Sequence, residues 1–399
     1  MSDVLGNEPR PGPRWLVPVG ALAAVAVLVA VATHAPKPPP AAHRPAPLPS
    51  RPSPAESPLV LHRAGNACQS DLPIPSFAGE PLPVATGLRL LVGDRDLRIV
   101  NVDLGTSRLL AAPGAGRSFT SLHQAGRSVV VVSHALCGTG GPGDVATVNL
   151  LNGDTVSTGP GDVLLPGEPP TVVELGQDGA QVLRPLHSLR RTPLPTGWTA
   201  AATSGGGLVI GTTPSDPGAQ PTVGIGDPTR RRFTRTFGKG YVVAAAPNRA
   251  VWLAGTCNPG PCLLTTTAVG GPNSATQARS FPCCGTFSPD GRRVAFILPR
   301  TAGQLGPHPG PPSDVAVLDF ATTDVQVLRG LVLPAKTSVS MAWSPDSAWL
   351  VLGADAGSRP LVMLWHDGMT GPAEVAVPAV PGGTTGPPAV LVLADQSAR

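Results

Sequence analysis

The sequence predicts an all-β protein: a β-propeller of about seven four-stranded blades, preceded by one transmembrane helix and a Pro-rich stalk. Three observations carry this. Gly (48) and Pro (50) together fill about a quarter of 399 positions, roughly twice the usual share. Short apolar runs punctuated by turn residues continue from Leu88 to the C-terminal region with no sustained 3.6-residue period, which reads as strands rather than helices. Finally, the turns recur at intervals near those of propeller blades. An interior Gly or Pro costs a helix about 1 or 3 kcal/mol, so helical bundles and coiled coils are excluded. Hydrophobic residues make up 41% and charged residues 14%, a composition with a core to bury.

The elements follow in chain order. Residues 1–14 form a short cytoplasmic head. Trp15 to Thr33 (WLVPVGALAAVAVLVAVAT) carry no charge and lie between Arg14 and the pair His34 and Lys37. That length matches the roughly 20 apolar residues that cross a bilayer, and Pro18 falls in the first turn, where its missing N–H does no harm. The alternative is a signal peptide cleaved after Ala30-Val31-Ala32. Residues 34–74 are the stalk: Pro36 to Pro58 (PKPPPAAHRPAPLPSRPSPAESP) can make neither a helix nor a central strand and favours polyproline II. Charges flank the apolar run on both sides, so the positive-inside rule gives no orientation. The short head and six cysteines place residues 34–399 outside the cytoplasm, in an oxidising space.

The propeller domain spans 75–399. Its expected strands include Leu88–Val92, Leu97–Val102, Ser128–Ser133, Val145–Leu150, Thr171–Leu175, Leu208–Thr212, Tyr241–Ala245, Ala250–Ala254, Val294–Leu298, Val315–Leu318, Leu350–Leu352 and Leu361–Trp365. Turns near Thr86, Gly126, Pro169, Gly206, Asn248, Asp290 and Asp346 are separated by 40, 43, 37, 42, 42 and 56 residues. The long step holds a Gly/Pro-rich insertion, Pro299 to Pro312. The final run Ala389–Ala394 (AVLVLA) is expected to return and complete the first blade, because a ring must not leave an open sheet edge.

Two of these turns are near-copies: Ser288-Pro289-Asp290-Gly291 and Ser344-Pro345-Asp346-Ser347, each followed by a strand. Pro presets φ and Asp bonds its own downstream backbone, so the chain reverses cheaply. The stretches FSPDGRRVAF and WSPDSAWLVL resemble the WD40-like repeat of the bacterial TolB-type propellers, in which this turn joins the first and second strands of a blade. Ser347 replaces the turn Gly in the second copy, and the earlier blades lack the Ser-Pro-Asp core. The resemblance implies a fold and leaves the activity open.

The cysteines are Cys68, Cys137, Cys257, Cys262, Cys283 and Cys284. If Ser-Pro-Asp turns occupy one rim, Cys137, Cys257, Cys262, Cys283 and Cys284 gather on the opposite rim, with the two-to-three loops and the crossovers. Disulfides are expected, with the pairing open among fifteen arrangements. Zinc is the alternative, disfavoured because adjacent cysteines rarely share one ion. The Cys283-Cys284 pair also occurs in quinoprotein dehydrogenases, but the regular Trp docking motif of those enzymes is lacking.

No G-x-S-x-G segment and no His pair at metal-ligand spacing occurs. Asp94 and Asp96 flank Arg95 in a turn expected to be a solvated hairpin tip. Arg230, Arg231, Arg232 and Arg235 form the densest basic cluster, expected on a solvated hairpin, with anionic lipid or wall polymer as alternative contacts. Trp252, Trp343, Trp349 and Trp365 are expected between blades. Asp94, His134 and Trp198 are candidate rim-binding residues.

Together these give a non-catalytic, membrane-anchored, extracytoplasmic scaffold that binds a protein or an envelope component. It is expected to need no cofactor and no metal, and nucleic acid is excluded as a partner. The alternatives are a quinone- or metal-dependent oxidoreductase on the same ring and an accessory subunit of an envelope sensor system.

Overall fold

The computed structural model describes residues 76–394 with the exception of 78–80, 83–84, 115, 137–142, 162, 168–169, 176–179, 205–206, 213–219, 248, 255–261, 269–272, 279–282, 301–311, 334–338, 356–359 and 379–385. The expected transmembrane helix, the stalk, and Cys68, Cys137 and Cys257 lie outside the described residues. Among the described residues every regular element is a strand, and no helix is long and apolar enough to cross a membrane.

After a short β1 (Ser76–Phe77), the first sheet takes β2 (Arg89–Gly93), β3 (Leu97–Asn101) and β4 (Thr106–Ala111). The second holds β5 (Arg117–Gln124), β6 (Val129–Leu136), β7 (Asp144–Asn149) and β8 (Thr155–Pro160). The third holds β9 (Val163–Leu165), β10 (Thr171–Leu175), β11 (Gln181–Pro185) and β12 (Thr192–Pro193). The fourth has seven strands: β13 (Trp198–Ser204), β14 (Gly207–Thr212), β15 (Thr222–Asp227), β16 (Arg232–Ala246), β17 (Arg249–Ala254), β18 (Cys262–Ala268) and β19 (Asn273–Ala278). The fifth holds β20 (Cys283–Phe287), β21 (Arg293–Pro299), β22 (Ser313–Asp319) and β23 (Val325–Val327), after which β24 (Leu331–Val332) pairs with β1. The sixth holds β25 (Ser340–Trp343), β26 (Trp349–Asp355), β27 (Pro360–His366) and β28 (Ala373–Val375). Last, β29 (Ala389–Val392) returns to pair with β2 in the first sheet, opposing Leu90 with Val392 and Val92 with Val390.

The strands β29, β5, β9, β13, the second half of β16, β20 and β25 neighbour one another in that order and close a circle, which is the ring of a propeller. Six continuous sheets form it, not the roughly seven separate blades expected from spacing. The difference arises in β16. Its first half, up to Lys239, pairs with β15, and its second half, from Gly240, pairs with β17. An outermost strand therefore runs unbroken into the next innermost one and fuses two four-stranded sets.

Burial follows position in the ring. The central strands β26 and β27 are buried along almost their whole length because neighbouring sheets cover both faces. The outer strands β4 and β8 are largely exposed and carry Thr, Ser and Arg, which suits an edge strand. Trp252, Trp343, Trp349 and Trp365 are buried, in keeping with aromatic packing between sheets. The largest core cluster joins the first, fifth and sixth sheets around Trp343, Trp349 and Trp365.

The two Ser-Pro-Asp turns lie at the expected joints between β20 and β21 and between β25 and β26. The Ser288 hydroxyl donates to Asp290 Oδ1 at 2.6 Å and accepts from the Arg293 N–H at 2.9 Å; Ser344 repeats this with Asp346 and the Trp349 N–H. Burial opposes charge on both aspartates, but bonds from Ser288 and the Arg292 N–H, and from Ser344 and the Ala348 N–H, outweigh it and hold both carboxyls below their ordinary value. Ser347, which stands where the first copy has Gly291, adopts φ 63°. Its hydroxyl accepts the Asp290 N–H at 3.0 Å, and its carbonyl accepts Arg293 Nη2 at 2.6 Å. Arg293 also lies over the Trp343 ring, 5.1 Å from the centroid. A side chain at a strained backbone position thus ties the fifth sheet to the sixth.

Candidate functional site

Within each four-stranded set the chain runs antiparallel, so the one-to-two and three-to-four turns share one rim. The two-to-three loops and crossovers share the other, called here the loop rim. Inner strands begin at the loop rim.

A cavity of about 660 Å³ opens among the inner strands. Thr199 and Ala201 of β13, Tyr241 and Val243 of β16, and Cys284 and Thr286 of β20 line it. Thr199, Tyr241 and Cys284 each stand second in the inner-strand segment they belong to, so the cavity reaches the loop rim there, while Pro166, Ala245 and Thr286 line it farther along the axis. Small residues leave the space open: Thr199 and Ala201 of β13 and Ala244 and Ala245 of β16 line it. Tyr241, the single tyrosine of the chain, is 41% exposed. A mainly apolar, concave surface with a few hydroxyls is the usual character of a ligand site.

Cys284 is exposed, at φ 57°, where β20 breaks register between Cys283 and Thr286. That bulge turns its side chain toward the cavity. The side chains of Cys262 and Cys283 lie outside the described residues, although their backbones belong to β18 and β20.

The candidate rim residues do not converge on this cavity. Asp94 is on the loop rim between β2 and β3 but is 3% exposed, not on a solvated tip. Its carbonyl accepts the Phe119 N–H at 2.7 Å, so the second sheet covers it. Trp198 meets Phe233 at a tilt of 39°, with 5.2 Å between centroids, and packs against Leu165, Leu183 and Leu194; the ring is a half-buried packing element.

His134 lies near the loop-rim end of β6. Its Nδ1 lies 3.1 Å from Arg117 Nη1, which also donates to Asp144, and Phe119 meets its ring edge-on at 6.2 Å. Burial, then the Arg117 charge, lower the His134 pKa, while Asp144 works to raise it. The neutral imidazole is therefore favoured in the folded state. The linkage has one sign: the contribution is complete above the unfolded histidine pKa, about 6.5, and is lost as pH falls toward the folded value. Melting temperatures between pH 7.5 and 5 are expected to fall more steeply for the wild type than for His134→Gln; parallel curves would contradict this.

Among the described residues no group of three or more His, Cys, Asp or Glu side chains is placed to hold a metal ion. The missed part of the site is the cavity itself, whose signal was the run of small residues on inner strands.

No protein-family model and no curated protein matches the sequence. Solved structures with a similar chain path include TolB from Acinetobacter baumannii, at 15% identity over 78% of this chain and 68% of that one, with TM-score 0.44. Apo AztD from Citrobacter koseri is similar at 12% identity over 76% and 97%, TM-score 0.43. An acylaminoacyl peptidase from Pyrococcus horikoshii is similar at 10% identity over 65% and 46%, TM-score 0.43. TolB and other β-propeller proteins are thus among the structural neighbours.

Proposed function

We propose that this protein is a non-catalytic binding scaffold, anchored in the cytoplasmic membrane through residues 15–33, whose propeller holds a protein or envelope component outside the cell. The observation that carries the reading is the open, largely apolar cavity at the loop rim, beside Tyr241. A rigid ring presenting variable loops is suited to binding, and an exposed aromatic with its hydroxyl is a common interface anchor. The uncharged run from Trp15 to Thr33 and the Pro-rich segment after it support the anchor.

The test places the photo-crosslinking amino acid p-benzoylphenylalanine at position 241 of the full chain, with position 321 on the opposite rim as control. Irradiation of intact membranes is expected to give one discrete protein or polymer adduct from position 241 and none from 321. Equal labelling from both positions, or none from 241, would overturn the reading.

A further inference from the structure

Four consecutive three-to-four hairpins present leucine and arginine tips to solvent on the rim opposite the cavity. In β3–β4 the tip is Leu104, 72% exposed; in β7–β8 it is Leu151, 68%; in β11–β12 it is Leu189, 99%. The next hairpin, β15–β16, carries Arg230, Arg231 and Arg232, all exposed, and Arg190 stands beside Leu189. The first two tips are tied together, since Arg108 of β4 donates to the carbonyls of Leu150 at 2.9 Å and Leu151 at 3.5 Å.

The charges are only partly compensated. Asp227 takes Arg230 at 3.6 Å, and Glu174 takes Arg191 at 3.1 Å. Arg190, Arg231 and Arg232 have no ion-pair partner among the described residues. On the fifth and sixth sheets the same rim exposes Asp290, Asp324, Asp346 and Asp367 with Arg292 among them, while Asp103 and Asp154 stand beside the Leu104 and Leu151 tips, so the net positive charge is concentrated at Arg190 and Arg230–Arg232.

We propose that this arc is a docking surface for an anionic lipid bilayer, with Leu104, Leu151 and Leu189 entering the interface and Arg190, Arg230, Arg231 and Arg232 meeting lipid phosphates. A soluble anionic polymer would use the arginines but leave three exposed leucines in water; a bilayer interface uses both. The inference rests on the anchored reading above, because a tethered ring meets its own membrane at high effective concentration and a weak patch then suffices. Residues 34–75 span at most about 150 Å when extended, ample to let any part of the rim reach the surface.

The full chain is reconstituted into nanodiscs of phosphatidylcholine alone or with one-third phosphatidylglycerol, and hydrogen exchange is read at His187–Arg191 and Pro228–Arg232. Exchange is expected to slow about fivefold in anionic discs only, to recover in molar salt, and to recover in the Arg230→Glu/Arg231→Glu/Arg232→Glu variant. Leu189→Ser is expected to weaken protection without changing its salt dependence. Equal exchange in both lipids overturns docking; equal protection by soluble polyphosphate in neutral discs overturns it in favour of a polymer. Carbonate extraction of native membranes separates the two readings. If the chain is released while anionic vesicles still protect the tips, the anchor fails and the surface stands; if it stays embedded and the tips exchange alike, docking alone fails.

Discussion

Ending the chain at Pro388 is expected to abolish the cooperative unfolding transition. The change removes β29, which fills the inner position of the first sheet and pairs four residues with β2. Val390 and Val392 are buried, at 5% and 2% exposure, in the largest core cluster, and burying each is worth about 1.5–3 kcal/mol. The inner edge of β2 would also be left open, with Leu90, Leu91 and Val92 partly uncovered. A domain's whole stability is about 5–15 kcal/mol, so losing the two valines, the ladder bonds and the closure together removes most of it. Scanning calorimetry is the check: a broad or absent endotherm is expected, with partial recovery when a peptide of residues 386–394 is added. A truncated chain that melts as sharply and as high as the wild type would show that the ring does not depend on this strand.

Gly240→Ala is expected to be the most damaging single substitution in the fused sheet. Gly240 is where β16 changes partner from β15 to β17, and its φ is 150°. A Cβ there would stand 1.8 Å from the Leu253 carbonyl oxygen and 2.8 Å from its carbon, backbone atoms fixed in the adjacent strand. Relief requires distorting the joint, at a cost of about 3–4 kcal/mol. Each kcal/mol lowers the melting temperature of a chain this large by about 2–4 °C, so a fall of about 6–16 °C is expected. Gly238→Ala is the control: its Cβ would meet only the Trp252 ring, at 3.3 Å or more, and about 1 kcal/mol or less is expected. Equal melting of the two variants would remove the special role of the joint.

Much of the ring was legible because strand and turn chemistry are local. The Ser-Pro-Asp turns, the central strands and the returning AVLVLA run each carry their own signal. The fused sheet was not legible, since Gly238-Lys239-Gly240 looks like a break and only the register with Ala254 shows the strand continuing. Ser347 looked like the loss of a turn glycine; its hydroxyl has a partner 57 positions away, which no local pattern reports. Asp94 looked exposed for the same reason, because its cover is Phe119 of the next sheet. The cavity is an absence of large side chains on strands that meet only in three dimensions, so its Ala and Gly runs read as weak strands.

The pairing of β1 with β24 sets how the ring responds to mechanical load. Two residue pairs, Ser76 with Val332 and Phe77 with Leu331, stand between the incoming polypeptide and the first sheet. Traction from the N-terminal side would peel this short clasp from the periphery of the fifth sheet before any force reached β2. The clasp acts as a sacrificial link, giving way while the closing strand stays seated.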